Sequence, residues 1–286
     1  MGVTHVAMES TGVYWKPIFN ILEAQFEILP ADAHHLKNVP GRKTDIKDCQ
    51  WIAQLLQHGL LKGSFIPPRP QRELRDLTRQ RTHLVDEASR ISNRIQKVLE
   101  DANVKLGSVV SNVVGTSGRL MLEAIIAGQD DPAELADLAK RRLRSKIPEL
   151  EQALYGKLTE HHRWMLKLLL DQLQTNEQFV ARLDKRIAEL THPLKPVLEK
   201  LDAVPGVDRR VAEVLIAEIG PDMTSFPSDA HLASWAGMAP GNNESAGKKR
   251  SGKTTKGSRW LRQALVQAAG LQATKRTATF RPTHAT

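Results

Sequence analysis

The sequence predicts a small α/β unit followed by a largely α-helical remainder. Two observations carry this. The first sixty residues alternate short strand-like runs with helical ones, whereas residues 71–104 hold neither Pro nor Gly and repeat apolar residues every seven positions. A third observation is charge. Residues 241–286 carry ten Lys or Arg against one acid, Glu244, which leaves 31 bases and 31 acids in residues 1–240; the whole net charge of +9 therefore lies at the C-terminal end. Such a block is the footprint expected of a nucleic-acid partner, and equally of a solvated basic tail.

The elements follow in order. Residues 3–8 form a first strand ending in the turn Glu9-Ser-Thr-Gly12, residues 13–23 a helix with apolar side chains at helical spacing, and residues 26–30 a second strand. A helix from Asp45 to about His58 follows, stopped by Gly59, and Pro67-Pro68-Arg69-Pro70 closes this unit as a linker. Next comes the heptad helix, with Leu77, Leu84, Ile91 and Val98 in one position and Leu74, Ala88 and Ile95 in the companion position, interrupted by Arg81. A second long helix, about residues 148–190, offers Leu150, Leu154, Leu158, Met165, Leu169 and Leu173, and is expected to pair antiparallel with the first as a structural coiled coil. Residues 105–147 between them read as a loop and shorter helices, one starting near Asp131-Pro132. The expected domains are residues 1–68, 69–195 and 196–286.

Composition bounds the function. A chain of 286 residues, 41% hydrophobic and 26% charged, is long enough for two domains or so and ordinary for a soluble protein. No apolar run approaches the roughly 18 residues of a membrane span and no signal peptide precedes the first strand, so a cytoplasmic location without a membrane partner is expected. The single cysteine, Cys49, excludes an internal disulfide framework and a zinc site of paired thiolates, and is expected to be a small buried residue. Neither His34-His35 nor His161-His162 has the spacing of a helical metal pair; they are read as surface or packing residues.

Three segments can carry chemistry. Asp45 and Asp48, three residues apart at a helix start, form either a capping-box-like N-terminus or, lying on one face, two ligands of a cation completed by a third acid. Residues 201–220, with Pro205-Gly206 between two helical runs, match a helix-hairpin-helix that offers backbone N–H groups to a phosphate, or else a plain helix connection. In residues 239–262 small residues alternate with cations. A serine among Lys248, Lys249, Arg250 and Lys253 can attack a phosphodiester while the cations neutralise the transition state; alternatively the segment, with Lys256, Arg259 and Arg262, is a basic loop that clamps the DNA backbone.

Five motifs in order, residues 8–17 (starting Met8-Glu-Ser-Thr-Gly), 39–48 (Val39-Pro-Gly-Arg-Lys-Thr-Asp), Val204-Pro-Gly-Val207, Ala236-Gly-Met-Ala-Pro240 and Glu244-Ser-Ala-Gly247, resemble the DEDD transposases of the insertion-sequence-110 family over nearly the whole chain. The resemblance implies a partial RuvC-like (ribonuclease H-like) domain, a coiled-coil connector and a mostly helical transposase domain with the helix-hairpin-helix. It implies a homo-oligomer acting on DNA with a structured guide RNA and Mg2+. Glu9 is similar to the family's second acidic ligand, Asp45 and Asp48 to its third and fourth, and Ser245 to a serine that links covalently to DNA. No Asp precedes Asp32, so the resemblance also implies an incomplete metal site, and a copy truncated at both ends with reduced or absent catalysis. The leading function is a DNA transposase or recombinase. Its rivals are a metal-dependent RuvC-like nuclease or resolvase without a serine step, and a non-catalytic nucleic-acid-binding remnant.

Overall fold

The computed structural model describes residues 2–10, 12–31, 45–61, 63–64, 66–239, 243–245, 248–251, 254 and 257–279; for 45–48, 243–245, 248–251 and 271–279 it describes the backbone alone. The chain forms two compact units, residues 1–69 and 70–286.

In the first unit, β1 (His5–Glu9), α1 (Trp15–Leu22) and β2 (Glu27–Ala31) are followed by α2 (Asp45–Gln57). The strands run parallel, in register from His5 opposite Glu27 to Glu9 opposite Ala31, as a strand-helix-strand crossover requires. Pro30 sits in this sheet without donating a ladder hydrogen bond. Ala31, Leu55 and Leu61 form the buried centre, packed by Ala7, Leu29, Trp51 and Ile52. Helix α2 stops as the sequence anticipates: Gly59 takes φ +66° and its N–H bonds to Leu56 O at 3.0 Å. Cys49 corrects its expectation. It is exposed, because it lies roughly a quarter-turn from the stripe of Trp51, Ile52 and Leu55 that faces the core.

The second unit is built on α3 (Arg69–Asp101) and, after α4 (Leu106–Val109), α5 (Thr116–Ile126), α6 (Pro132–Asp137), a short 3-10 turn (Arg141–Lys146) and α7 (Ile147–Leu154), on the long α8 (Glu160–Thr191). Helices α3 and α8 pair antiparallel. Asp101 meets His162, the Leu84 carbonyl accepts from Asn176 Nδ2 at 2.8 Å, and Leu74 shares a core with Ile187. Along α8 the seam runs Leu166, Leu169, Leu173, Asn176, Ile187, a heptad pattern. At one end Ile91, Ile95 and Leu99 join Leu166, Leu170 and Leu173, closed over by Leu106, Met121, Leu122 and Leu150 from the inserted helices. Helix α6 begins where expected, Asp131 accepting from the Ala133 N–H at 2.9 Å with Pro132 at the first position.

One expectation fails here. The second long helix is interrupted at residues 155–159, so Leu150 and Leu154 belong to α7, and Met165 is only partly buried. The cause is Gly156. A Cβ there would lie 2.5 Å from Val104 Cγ2 and 2.6 Å from Ala102 O, so the chain passes flush against the end of α3 and bonds to it through Lys157 N–H to Ala102 O at 2.7 Å. His162 then restarts the helix. Its Nδ1 accepts from the Thr159 N–H at 3.1 Å, and the two side chains make a capping box.

After a second 3-10 turn (His192–Leu194) come α9 (Lys195–Asp202), α10 (Arg209–Ile219), α11 (Asp229–Trp235), the strands β3 (Asn243–Ser245) and β4 (Lys248–Ser251), and α12 (Arg259–Thr279). Helix α10 is covered on two sides. Ala212, Ile216 and Ala217 pack with Leu74, Ile187 and Leu198, while Val211 and Leu215 pack with Ala236, Leu261 and Ala264. Its acids Glu213 and Glu218 are consequently buried and must find partners. Among the described residues no helix is long and apolar enough to cross a membrane.

Candidate functional site

Glu9 closes β1 and is exposed; the next residue, Ser10, bonds through both N–H and Oγ to Ala31 O at 3.0 Å, which fixes the end of the strand. Helix α2 packs against β1, so the helix that begins at Asp45 and carries Asp48 in its first turn neighbours the strand that ends in Glu9. The structure thus brings the three acids onto adjacent elements. The side chains of Asp45 and Asp48 lie outside the described residues, and among the described residues no three His, Cys, Asp or Glu side chains gather as a cation site.

In the second unit, the Pro205-Gly206 turn joins α9 to α10, held by Val207 N–H to Val204 O at 2.9 Å. The start of α10 is already capped by a carboxylate, since Asp208 Oδ1 accepts from the Val211 N–H at 2.8 Å. Arg209 and Arg210 each bond Glu213 at 2.9 Å, and Arg210 also reaches Asp184 at 2.8 Å, beside Arg81 at 2.5 Å. This turn is therefore less cationic than its sequence suggests.

The segment read as a basic loop contains a hairpin. Strands β3 and β4 run antiparallel with Ser245 opposite Lys248, Glu244 opposite Lys249 and Asn243 opposite Ser251, with a bulge between Asn243 and Glu244. Arg250 lies on β4, whereas Lys253 and Lys256 lie outside the described residues. Arg259 and Arg262 occupy the first turn of α12 and are exposed.

Sequence reasoning missed the groups that meet this turn. Glu218, 1% exposed, accepts from Arg79 Nε and Nη2 at 2.8 and 2.9 Å and from Ser258 Oγ at 3.0 Å. Arg75 Nε donates to Ala217 O at 2.8 Å and its Nη2 to Glu218 O, and Gln71 Nε2 donates to Ala217 O at 3.2 Å, so α3 completes the carbonyl end of α10 through Arg75 and Gln71. Burial, then the neighbouring Arg79, holds the Arg75 guanidinium below its ordinary pKa, against the pull of Glu218. Trp260 lies 4.4 Å from the Arg259 guanidinium carbon and 5.8 Å from that of Arg79. The available signal was the i,i+4 pair Arg75 and Arg79, which share one helix face beside the apolar seam.

Comparison with known proteins decides the family. Residues 198–285 match the model of the transposase IS116/IS110/IS902 family, and residues 1–104 match the DEDD transposase model of the same group. An IS110 insertion-element protein of Streptomyces coelicolor, described as uncharacterized, is 32% identical over 258 residues, 80% of this chain and 61% of its own. The chain belongs to the IS116/IS110/IS902 transposase family. A probable family 20 transposase of Pseudomonas aeruginosa is 25% identical over 268 residues, covering 92% of this chain and 70% of its own. A putative transposase of Sinorhizobium fredii is 24% identical over 231 residues, covering 79% and 50%. The chain thus spans about three fifths of the Streptomyces relative. Within this transposase-family chain, Glu9, Asp45 and Asp48 fall inside the first matched region, and Pro205, Gly206, Ser245 and the basic residues inside the second.

Proposed function

We propose that this chain is a DNA transposase or recombinase that works by phosphoryl transfer, with Ser245 as nucleophile. The observation that carries the reading is the β3–β4 hairpin, whose register sets Ser245 opposite Lys248 in the basic block, inside the residues matched to the transposase family. In the reaction, the Ser245 oxygen bonds to phosphorus as a deoxyribose oxygen leaves. The serine proton passes to solvent or to the leaving oxygen, and Lys248, Lys249, Arg250 and Lys253 offset the charge that builds on the phosphoryl oxygens. Glu9, Asp45 and Asp48 would hold Mg2+. Their hard oxygen donors suit that ion, and the contact of α2 with β1 supports the grouping. Bound there, Mg2+ supplies Lewis-acid stabilisation of a phosphodiester under attack.

The partner is DNA, for which the net +9 of residues 241–286 provides the electrostatic footprint, with Lys256, Arg259, Arg262 and the Pro205-Gly206 turn as further backbone contacts. The family resemblance adds a structured guide RNA, a homo-oligomer, a RuvC-like first domain at residues 1–68, a connector at 69–195 and a transposase domain with a helix-hairpin-helix at 196–286. The test is cleavage of element-end DNA by the purified full chain with Mg2+ and guide RNA. Glu9→Ala, Asp45→Ala and Asp48→Ala should each abolish Mg2+-dependent cleavage while DNA binding survives; cleavage at the unaltered rate in all three would refute the acidic assignment.

A further inference from the structure

At the start of α12 the C-terminal unit holds a cleft of ≈ 580 Å³ lined by Arg75, Arg79, Trp235, Ser258, Arg259 and Trp260, together with Glu218. The entry to it is built. A Cβ on Gly257 would lie 2.2 Å from Gly237 N and 2.5 Å from Trp235 O, so glycine lets the chain pass flush against the end of α11 before Ser258 caps α12. Three guanidinium groups face one carboxylate in this cleft. Glu218 is saturated by Arg79 and Ser258, while Arg75 is spent on backbone carbonyls and stands 3.9 Å from the carboxylate. The site is therefore short of negative charge. Its aromatic wall is also prepared: His83 meets the Trp260 ring edge-on at 4.9 Å, which fixes the ring plane, and the exposed Arg259 covers a face that an incoming ring can take over.

An indole with adjacent guanidinium groups matches an unpaired nucleotide, whose base stacks while its phosphate takes the displaced cation. A base inside a duplex has both faces covered by its stacked neighbours. We infer that this cleft binds one unpaired nucleotide of a DNA strand, the base on Trp260 and the phosphate on Arg259, in the segment of sequence that follows the strands carrying Ser245. The inference rests on the DNA reading above and adds to it a preference for a strand opened at this point.

The test measures binding of the full chain to a labelled oligothymidylate and to a hairpin duplex of equal charge, each across a salt series. Trp260→Ala should weaken oligothymidylate binding about tenfold and leave duplex binding unchanged. Arg259→Gln, at an exposed position, should reduce the salt slope for the single strand by about one. Trp260 also packs against α3, so Trp260→Phe, which keeps a flat ring there, is the fold control and should retain most single-strand binding. Equal losses on both DNAs in Trp260→Ala, or a Trp260→Phe variant as weak as Trp260→Ala with an unaltered circular dichroism spectrum, would overturn the cleft assignment and leave the DNA reading standing. Failure of the unaltered chain to bind either DNA would overturn both.

Discussion

Replacing Glu218 by glutamine tests how the helical body of this transposase-family chain is locked. The carboxylate is 1% exposed and takes two hydrogen bonds from Arg79 and one from Ser258, thereby joining α3, α10 and the start of α12. Removing one partner of a buried ion pair costs about 3–5 kcal/mol when the other charge stays buried. Arg79 is 32% exposed and can turn its charge toward water, and the glutamine amide keeps one acceptor, so we expect about 2–3 kcal/mol. With a urea slope of roughly 1–3 kcal/mol/M, the midpoint should fall by on the order of 1 M. The assay is urea unfolding followed by tryptophan fluorescence, with Glu199→Gln as control. Glu199 makes an i,i+4 pair with Lys195 in which both side chains are 63% exposed, and its loss should cost no more than about 0.5 kcal/mol. A Glu218→Gln variant no weaker than that control would refute the view that the triad holds these helices together.

Gly156→Ala should destabilise the chain by about 1–3 kcal/mol in the same assay, because Ala102 O belongs to backbone that cannot step aside from a Cβ 2.6 Å away; a neutral outcome would mean the flush passage is dispensable. Asn176→Leu should stabilise it by roughly 1 kcal/mol, since Asn176 is buried in the seam with Oδ1 unpartnered among the described residues, and a loss of stability would show that its bond to Leu84 O matters more than packing. The Asp222 carboxyl is held below the usual carboxylate range by the Thr224 N–H and then its hydroxyl. A carboxyl depressed in the folded state contributes stability above its unfolded pKa and loses it as pH falls through the folded value. Asp222→Asn should therefore flatten the acid limb of Tm against pH below about pH 4, and an unchanged limb would count against this turn.

Local signals were legible where they were self-contained. Gly59 and Asp131-Pro132 mark helix ends through their own backbone preferences, and the heptads of α3 carry their pairing in their period. The break at Gly156 was not legible, because its cause is Val104 and Ala102, some fifty residues earlier in the chain. The hairpin around Ser245 was hidden for another reason: Asn, Gly, Ser and Lys have low strand propensity, so a segment rich in them reads as loop. Of the candidate site, Glu9, Asp45 and Asp48 came from ordered motifs more than from spacing, since a carboxylate pair at a helix start serves equally as a cap. The cleft at Trp260 depends on an Arg79–Glu218 contact spanning 139 residues, which no window of sequence displays.

The most direct test of a serine recombinase chemistry is to trap the protein on DNA. The full chain, incubated with element-end DNA, Mg2+ and guide RNA, then denatured and digested, should yield a peptide covalently linked to a nucleotide through Ser245, and Ser245→Ala should yield none. An adduct that persists in Ser245→Ala, or DNA cleavage that continues in that variant with no adduct at any serine, would contradict the account.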